Sequence, residues 1–385
     1  MTKTHLLAAL PDIASGVVAA HAAQVDRDAR FPVEGIDALK AAGMMGAAIP
    51  SDAGGLGCSL EELGKMCAVL ARNCASTAMI VAMHHIQVAS LVNHAISQPE
   101  VRDYLLRVAG ERRLIASGTS EVGPSGDMRQ SVCFLESMGQ DFTVTKKCTT
   151  VSYGQMADDI LFQARRTGEA SAGDQVAILA TRGSYVLDPL GGWDTLGMRG
   201  TCSPGGVLKA RIAPWQVLDA SFATVAAQTQ VPWSHILWSC CWLGSATDAV
   251  EKASTVVRAK ARARPGQVPH AALDLSRLTG KLLLMRSVIQ ALTREYEMIM
   301  TSADHADLES LGFALRDNNL KLNTSELAVE IVSDALRIVG ISAYKNDSEV
   351  SLGRHLRDVY SAPLMISNQR IHSTNASMLL VHKTV

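Results

Sequence analysis

The sequence carries almost no net charge: 36 Lys and Arg stand against 37 Asp and Glu, a formal balance of -1 over 385 residues. With neither a basic patch nor an acidic tail, nucleic acid and an anionic membrane surface are not expected partners. CxxC spacing and Cys/His ligand patterns are also missing from the eight cysteines, Cys58, Cys67, Cys74, Cys133, Cys148, Cys202, Cys240 and Cys241. That argues against zinc and against a disulfide framework, so the thiols read as small buried hydrophobes of a reducing cytoplasm. Long apolar runs are scarce as well. Pro11 and Asp12 interrupt the apolar N-terminal stretch, so a secretory leader is not expected, and runs such as 77–83 and 236–246 are too short or too broken to span a bilayer. Neither a solenoid repeat nor the βαβ alternation of a dinucleotide-binding Rossmann domain is found.

What is present is a hydrophobic content of 48%, ample for a large core in a chain longer than one compact unit. Three regimes follow one another. Residues 1–112 are Ala- and Leu-rich with helical spacing. Phe31-Pro32 opens a helix that ends near Gly43, the glycine cluster Gly54, Gly55 and Gly57 forms an irregular loop, and Ser59 with Glu62 is a capping box. A helix through His84 and His85 and a shorter one ending near Arg107 complete this part. Residues 113–222 change to a period of two in SVCFLES, DFTVTKK, DDILFQA and QVAILAT, the pattern of short antiparallel strands. Residues 223–385 return to helical spacing over 233–263, 271–301 and 304–339, lengths suited to an up-and-down bundle. The expected fold is mainly α, with an N-terminal helical domain, a small barrel-like middle β domain and a C-terminal four-helix bundle.

Four segments in this order resemble the acyl-CoA dehydrogenase superfamily, and the likeness covers nearly the whole chain. FPVEGIDALKAAGMMGAAIPSDAGGLGCSLEE is similar to the family's N-terminal signature. GTSEVGPSGD at 118–127 is similar to the segment ending T-E-P-x-x-G-S-D, and TTVSYGQMAD at 149–158 falls where the family has W-I-T-N-G-x-x-A-D. GRHLRD at 353–358 matches E-R-x-x-R-D except at its first position. GWDTLGMRGTCS at 192–203 resembles a segment that ordinary dehydrogenases share with the superfamily's flavin-dependent monooxygenases.

The resemblance implies FAD, or FMN, at a domain seam, where a flavin ring needs short hydroxyl or backbone donors. Ser120 stands for the threonine of T-E-P and Ser152 for that of W-I-T, while Thr150 replaces the tryptophan that many members stack on the ring. Arg258 lies near the arginine that in the family reaches a neighbouring subunit's FAD pyrophosphate, and Gly340 is the one glycine kept from a Gly-Gly-x-Gly turn. Arg199 is placed to pair with a substrate phosphate or carboxylate. Serines in Gly-rich turns also cap their own backbone, and an arginine between glycines also serves at a surface, so both readings stay open for these positions.

Dehydrogenation of an acyl thioester needs a base for the α-proton, and the resemblance puts that glutamate nine positions after Arg357. Ile366 occupies the place, and isoleucine accepts no proton. Some members carry the base early in the first bundle helix, which maps to Ser234 with His235 beside it; His235 is the base expected here, ahead of His372 and the pair His84 and His85. The family's commonest activity gives the first reading, α,β-dehydrogenation of an acyl group on CoA or a carrier protein with an electron-transfer partner. The alternatives are a two-component flavin monooxygenase fed by a flavin reductase, and a non-catalytic relative. A homotetramer or homodimer in the cytoplasm, without bound metal, is expected.

Overall fold

The computed structural model describes residues 2–124, 127–302 and 304–383; Ser125 and Gly126 of the 118–127 segment and Ala303 of the 304–339 approach lie outside them. The N-terminal part holds six helices: α1 (Lys3–Ile13), α2 (Ala19–Asp28), α3 (Val33–Ala41), α4 (Leu60–Ala71), α5 (Ala75–Ala95) and α6 (Pro99–Glu111). Pro11 does not end the first helix. The chain runs on through it and widens into a π-turn, Ala14–Val18, that joins α1 to α2. The capping box forms as spaced: Ser59 Oγ accepts the Glu62 N–H at 3.3 Å and Glu62 Oε2 accepts the Ser59 N–H at 2.8 Å. Gly54 and Gly57 take φ of +83° and +61°, the turn chemistry the glycine cluster supplies.

Two helical stretches, Lys3–Asp28 and Ala75–Ala95, are long and apolar enough to cross a membrane by length and composition, longer than the runs counted in the sequence. The second buries 89% of its apolar window inside the protein.

The middle region forms two four-stranded sheets. One has the order β1 (Ile115–Gly118), β4 (Asp159–Arg165), β5 (Gln175–Ala180), β8 (Val217–Ser221); the other β2 (Glu136–Met138), β3 (Asp141–Cys148), β7 (Gly205–Ile212), β6 (Tyr185–Leu190). Three of the four alternating runs are strands, but β1 pairs with β4 in parallel, so the sheets are not purely antiparallel. The run SVCFLES gives only its last residues to β2. Its Val132 and Cys133 N–H groups go to the Glu121 carboxylate at 3.2 and 2.8 Å, which removes them from a ladder. Asp159, fully buried, binds Arg113 through two bonds of 2.7 Å, the Tyr104 hydroxyl at 2.7 Å and the Arg182 N–H at 2.9 Å, and so fixes α6 to the start of β4.

The short α7 (Phe222–Val225) and a π-turn, Ala226–Gln230, lead into α8 (Val231–Ala263), α9 (Ala271–Met300) and α10 (Leu311–Val339). The third long helix starts later than its spacing predicts, because Ser310 caps it by accepting the Phe313 N–H at 3.1 Å. Then follow α11 (Ile341–Tyr344), α12 (Gly353–Val359) and α13 (Asn368–Leu379). Trp233, Trp238 and Trp242 are all buried within the chain. By contrast α9 leaves Leu273, Leu283, Leu284 and Met298 more than half exposed. All eight cysteines are free, and only Cys202 is less than fully buried.

Candidate functional site

Two of the sequence segments lock onto each other. The Asp358 carboxylate on α12 accepts the Met198 N–H at 2.6 Å, and Arg357 donates to Leu196 O at 3.1 Å and to Asp26 on α2 at 2.9 Å. Gly197 is needed there: a Cβ would stand 2.1 Å from Arg357 O. Arg199 extends the junction, its Nε–H on Asp26 O at 2.7 Å and its Nη1 on Asp194 at 2.6 Å and Thr195 O at 2.7 Å. Its fork is therefore occupied inside the chain. Burial raises the Asp358 carboxyl to about 6. The RHLRD signature thus joins all three parts of the chain.

The segments at 118–124 and 149–153 meet as well. Ser120 donates to Thr150 O at 2.6 Å and accepts the Thr150 N–H at 3.0 Å, so its hydroxyl proton is spent on the backbone. Ser152 differs: it accepts from Ser203 Oγ at 2.8 Å and keeps its own proton to donate. Glu121 anchors the first segment from below, taking the Ser131 hydroxyl at 2.7 Å with Lys146 Nζ at 3.7 Å. Tyr153, Met198 and Cys202 all hold φ near +50°, unusual for residues with a Cβ and concentrated at this seam.

Ile366 sits in the turn before α13 with φ of +46°, a strained geometry for a β-branched side chain. Its carbonyl accepts from Lys321 Nζ at 3.3 Å, and the same ammonium donates to Asn368 Oδ1 at 2.5 Å. Asn368 in turn donates to Ser325 Oγ and Glu326 Oε1, both at 3.1 Å. Burial lowers Lys321 to about 8. Sequence reasoning missed Lys321, because a lysine inside a helical pattern is most simply read as solvated. Its one signal was its place among the apolar positions of α10, flanked by Leu320 and Leu322.

His235 is buried between α8 and α10, its Nδ1 3.0 Å from Asp317 Oδ2. The Ser234 side chain, on the first turn of α8, has no hydrogen-bond partner among the described residues. His84 donates from Nε2 to Met45 O at 2.9 Å and accepts the Ile115 N–H at Nδ1, 3.1 Å; burial lowers it to about 4. His85, equally buried, has both ring nitrogens unpaired. His372 is exposed, 4.0 Å from Glu326. Arg258 is exposed and unpaired among the described residues, and Gly340 ends α10 with φ of +81° and open space where a Cβ would lie. The structure thus gathers the 118–124, 150–153 and 198–203 segments at one seam and links the last of these to α12. His84 and Arg258 have other surroundings.

A cavity of about 290 Å³ lies beside Glu121, Cys133 and Thr145, and one of about 360 Å³ between Phe31, Lys40 and Met156. Neither borders Ser152, Ile366 or Lys321, so side-chain chemistry and not cavity size marks the candidate cofactor seam. A flavin ring edge fits it in one respect: Ser152 retains a donor for a ring acceptor. Ser120 has none left to give.

The chain matches the model of the acyl-CoA dehydrogenase N-terminal domain over residues 2–111 and that of the C-terminal domain over 224–365. It is 24% identical to the amino sugar nitrososynthase DnmZ of Streptomyces peucetius, over 88% of this chain and 84% of that protein. To the short-chain-specific acyl-CoA dehydrogenase of Clostridium acetobutylicum it is 22% identical, over 88% and 86%. Among solved structures, FMN-bound TdsC from Paenibacillus sp. A11-2 superposes with a TM-score of 0.85 at 18% identity, over 99% of this chain and 98% of that one. The helical N-terminal domain, the central β region, the helical C-terminal domain and both family models agree: the chain belongs to the acyl-CoA dehydrogenase superfamily.

Proposed function

We propose that this chain is a flavin-dependent monooxygenase of the two-component kind, receiving reduced FMN or FAD from a separate reductase. The observation that carries this reading is Ile366: the position that would need a carboxylate for α-proton removal holds an aliphatic side chain, in a turn fastened by Lys321 and Asn368. Oxygenation by reduced flavin needs no such base, since the flavin supplies the electrons that activate dioxygen. Ser152 would donate to the ring edge, and Thr150, exposed and small, leaves the ring less covered than a tryptophan would. TdsC, a dibenzothiophene monooxygenase, shows that this fold can host such chemistry, as the acyl-CoA dehydrogenase of Clostridium acetobutylicum shows that it can host the other.

A specific contact favours the dehydrogenase as second reading. Asp317 holds the His235 Nδ1, which leaves Nε2 as the basic atom of an oriented imidazole. Anaerobic mixing of the flavin-loaded protein with butyryl-CoA separates the two. Bleaching of the flavin by the thioester alone overturns the monooxygenase, whereas oxygen consumption that requires a reductase and NADH supports it.

The exposed leucines of α9 fit burial against a second copy, so a homodimer or homotetramer is part of this reading, as is a cytoplasmic location for eight free thiols. Light scattering of wild type against Leu283→Glu tests the assembly; an unchanged mass would remove α9 from the interface.

A further inference from the structure

The segment 119–122, which carries Ser120 of the candidate cofactor seam, lies outside every helix and strand, since β1 ends at Gly118. Each of its residues is nevertheless tied down. Gln163 on β4 donates Nε2–H to Thr119 O at 2.9 Å, and Ser120 exchanges two bonds with the Thr150 backbone. Glu121 accepts the Ser131 hydroxyl and the Val132 and Cys133 N–H groups, and the Val122 N–H goes to Lys147 O at 2.9 Å.

The hold on Glu121 includes a buried charge. Lys146 on β3 is buried like Glu121; its ammonium stands 3.7 Å from Oε2 and donates to Gln163 O at 2.8 Å. Lys146 thus joins the two residues that grip the segment, Glu121 within it and Gln163 beside it. Stability alone does not call for such a pair. Taking two charges out of water costs about as much as their attraction returns, and apolar side chains of like volume serve a core as well or better. At 3.7 Å the pair is also longer than a direct hydrogen bond, which weakens the return further. What the pair does fix is position. The two bonds of Ser120 carry that position on to Thr150, two residues from Ser152, the hydroxyl that keeps its proton.

We infer that Glu121 and Lys146 are a positioning pair for the flavin seam: they set where 119–122 and 150–152 stand, and flavin affinity depends on them although both are buried in the β region. The inference rests on a flavin seated at this seam and holds for either reaction named above. A site's donors bind well only when the groups behind them lock their place.

The test measures binding of FMN and of FAD to the full chain by anaerobic ultrafiltration, each flavin oxidised and reduced, well below the melting temperature. Wild type is compared with Glu121→Gln, Lys146→Met and the double variant. Each single substitution leaves one buried charge without its counter-ion and is expected to lower the melting temperature of the flavin-free protein. The double variant buries neither charge, and its glutamine keeps an oxygen for the Val132 and Cys133 N–H groups. Its melting temperature should therefore return to the wild-type value or above. Its flavin affinity is expected to stay lower by on the order of tenfold. Amide exchange at 119–122 and 150–152 is expected to stay faster by on the order of tenfold, with β5 unchanged. Affinity and exchange that recover together with the melting temperature make the pair purely structural and overturn the inference, as do single variants that bind flavin like wild type. Glu121→Asp keeps both charges and shortens only the reach, so it decides the matter if the double variant does not fold: weakened flavin binding supports the inference, and wild-type affinity overturns it. Wild type that binds neither flavin in either state overturns the inference and the proposed function together, whereas failure of the inference with flavin bound leaves that function standing.

Discussion

Asp358 accepts the Met198 N–H at 2.6 Å across 160 positions of sequence, and through this bond the end of the bundle holds the loop between β6 and β7 of the second sheet. The carboxylate is buried, and burial raises it to about 6. A group raised in the folded state contributes stability that is complete below its unfolded value near 3.8 and is lost as the pH climbs through about 6. Between those values the slope attributable to Asp358 approaches about 1.4 kcal/mol per pH unit, stability falling as pH rises. Asp358→Asn keeps an acceptor for Met198 and should remove that slope with little loss at pH 7. Asp358→Ala orphans the N–H and should cost about 1 to 3 kcal/mol. Urea denaturation from pH 4 to 7 on the three proteins measures both effects.

Gly197 packs against the Arg357 carbonyl where no Cβ fits. Gly197→Ala therefore has to push apart the same junction, and a loss of about 2 kcal/mol or more is expected. Thermal unfolding with Gly192→Ala as control reads it, since nothing lies within 4 Å of a Cβ at Gly192.

Lys321 binds both the Ile366 carbonyl and Asn368. Lys321→Met should release the 361–368 turn, seen as amide exchange faster by on the order of tenfold there and little changed in β4. The sign for pH is opposite to that of Asp358. Burial lowers the lysine from 10.5 to about 8, so it favours the folded state increasingly as pH rises through that interval, and the variant should lack this component.

Arg258 stands exposed on the last third of α8 without a partner among the described residues. If it grips a dinucleotide's pyrophosphate in a neighbouring subunit, Arg258→Ala should weaken FAD by about tenfold and leave FMN, which has no pyrophosphate, untouched. Fluorescence titration with the two flavins gives the answer, and equal effects on both would remove the residue from the cofactor site.

Much of the architecture was legible because it rests on local chemistry. The Ser59 and Glu62 capping box, the spacing of α8 and the strand runs of β3, β4 and β5 are short-range patterns, and each formed where it was read, although only β3 alternates in burial while β4 and β5 are buried on both faces. The run 131–137 failed for a reason absent from its own residues: Glu121, ten positions earlier, takes its N–H groups.

The sequence by itself determined the family's order of helices, strands and helices, and the absence of a carboxylate at Ile366, because side-chain identity and periodicity are local properties. Only the tertiary structure decided which hydroxyls remain unspent. Ser120 and Ser152 are the same residue type in similar turns, but one gives its proton to Thr150 O while the other, bonded by Ser203, keeps its own. The buried Lys321 and the paired Arg199 were hidden for the same reason. A side chain's partners come from segments far away in sequence, and it is those partners that settle what chemistry the group has left to offer.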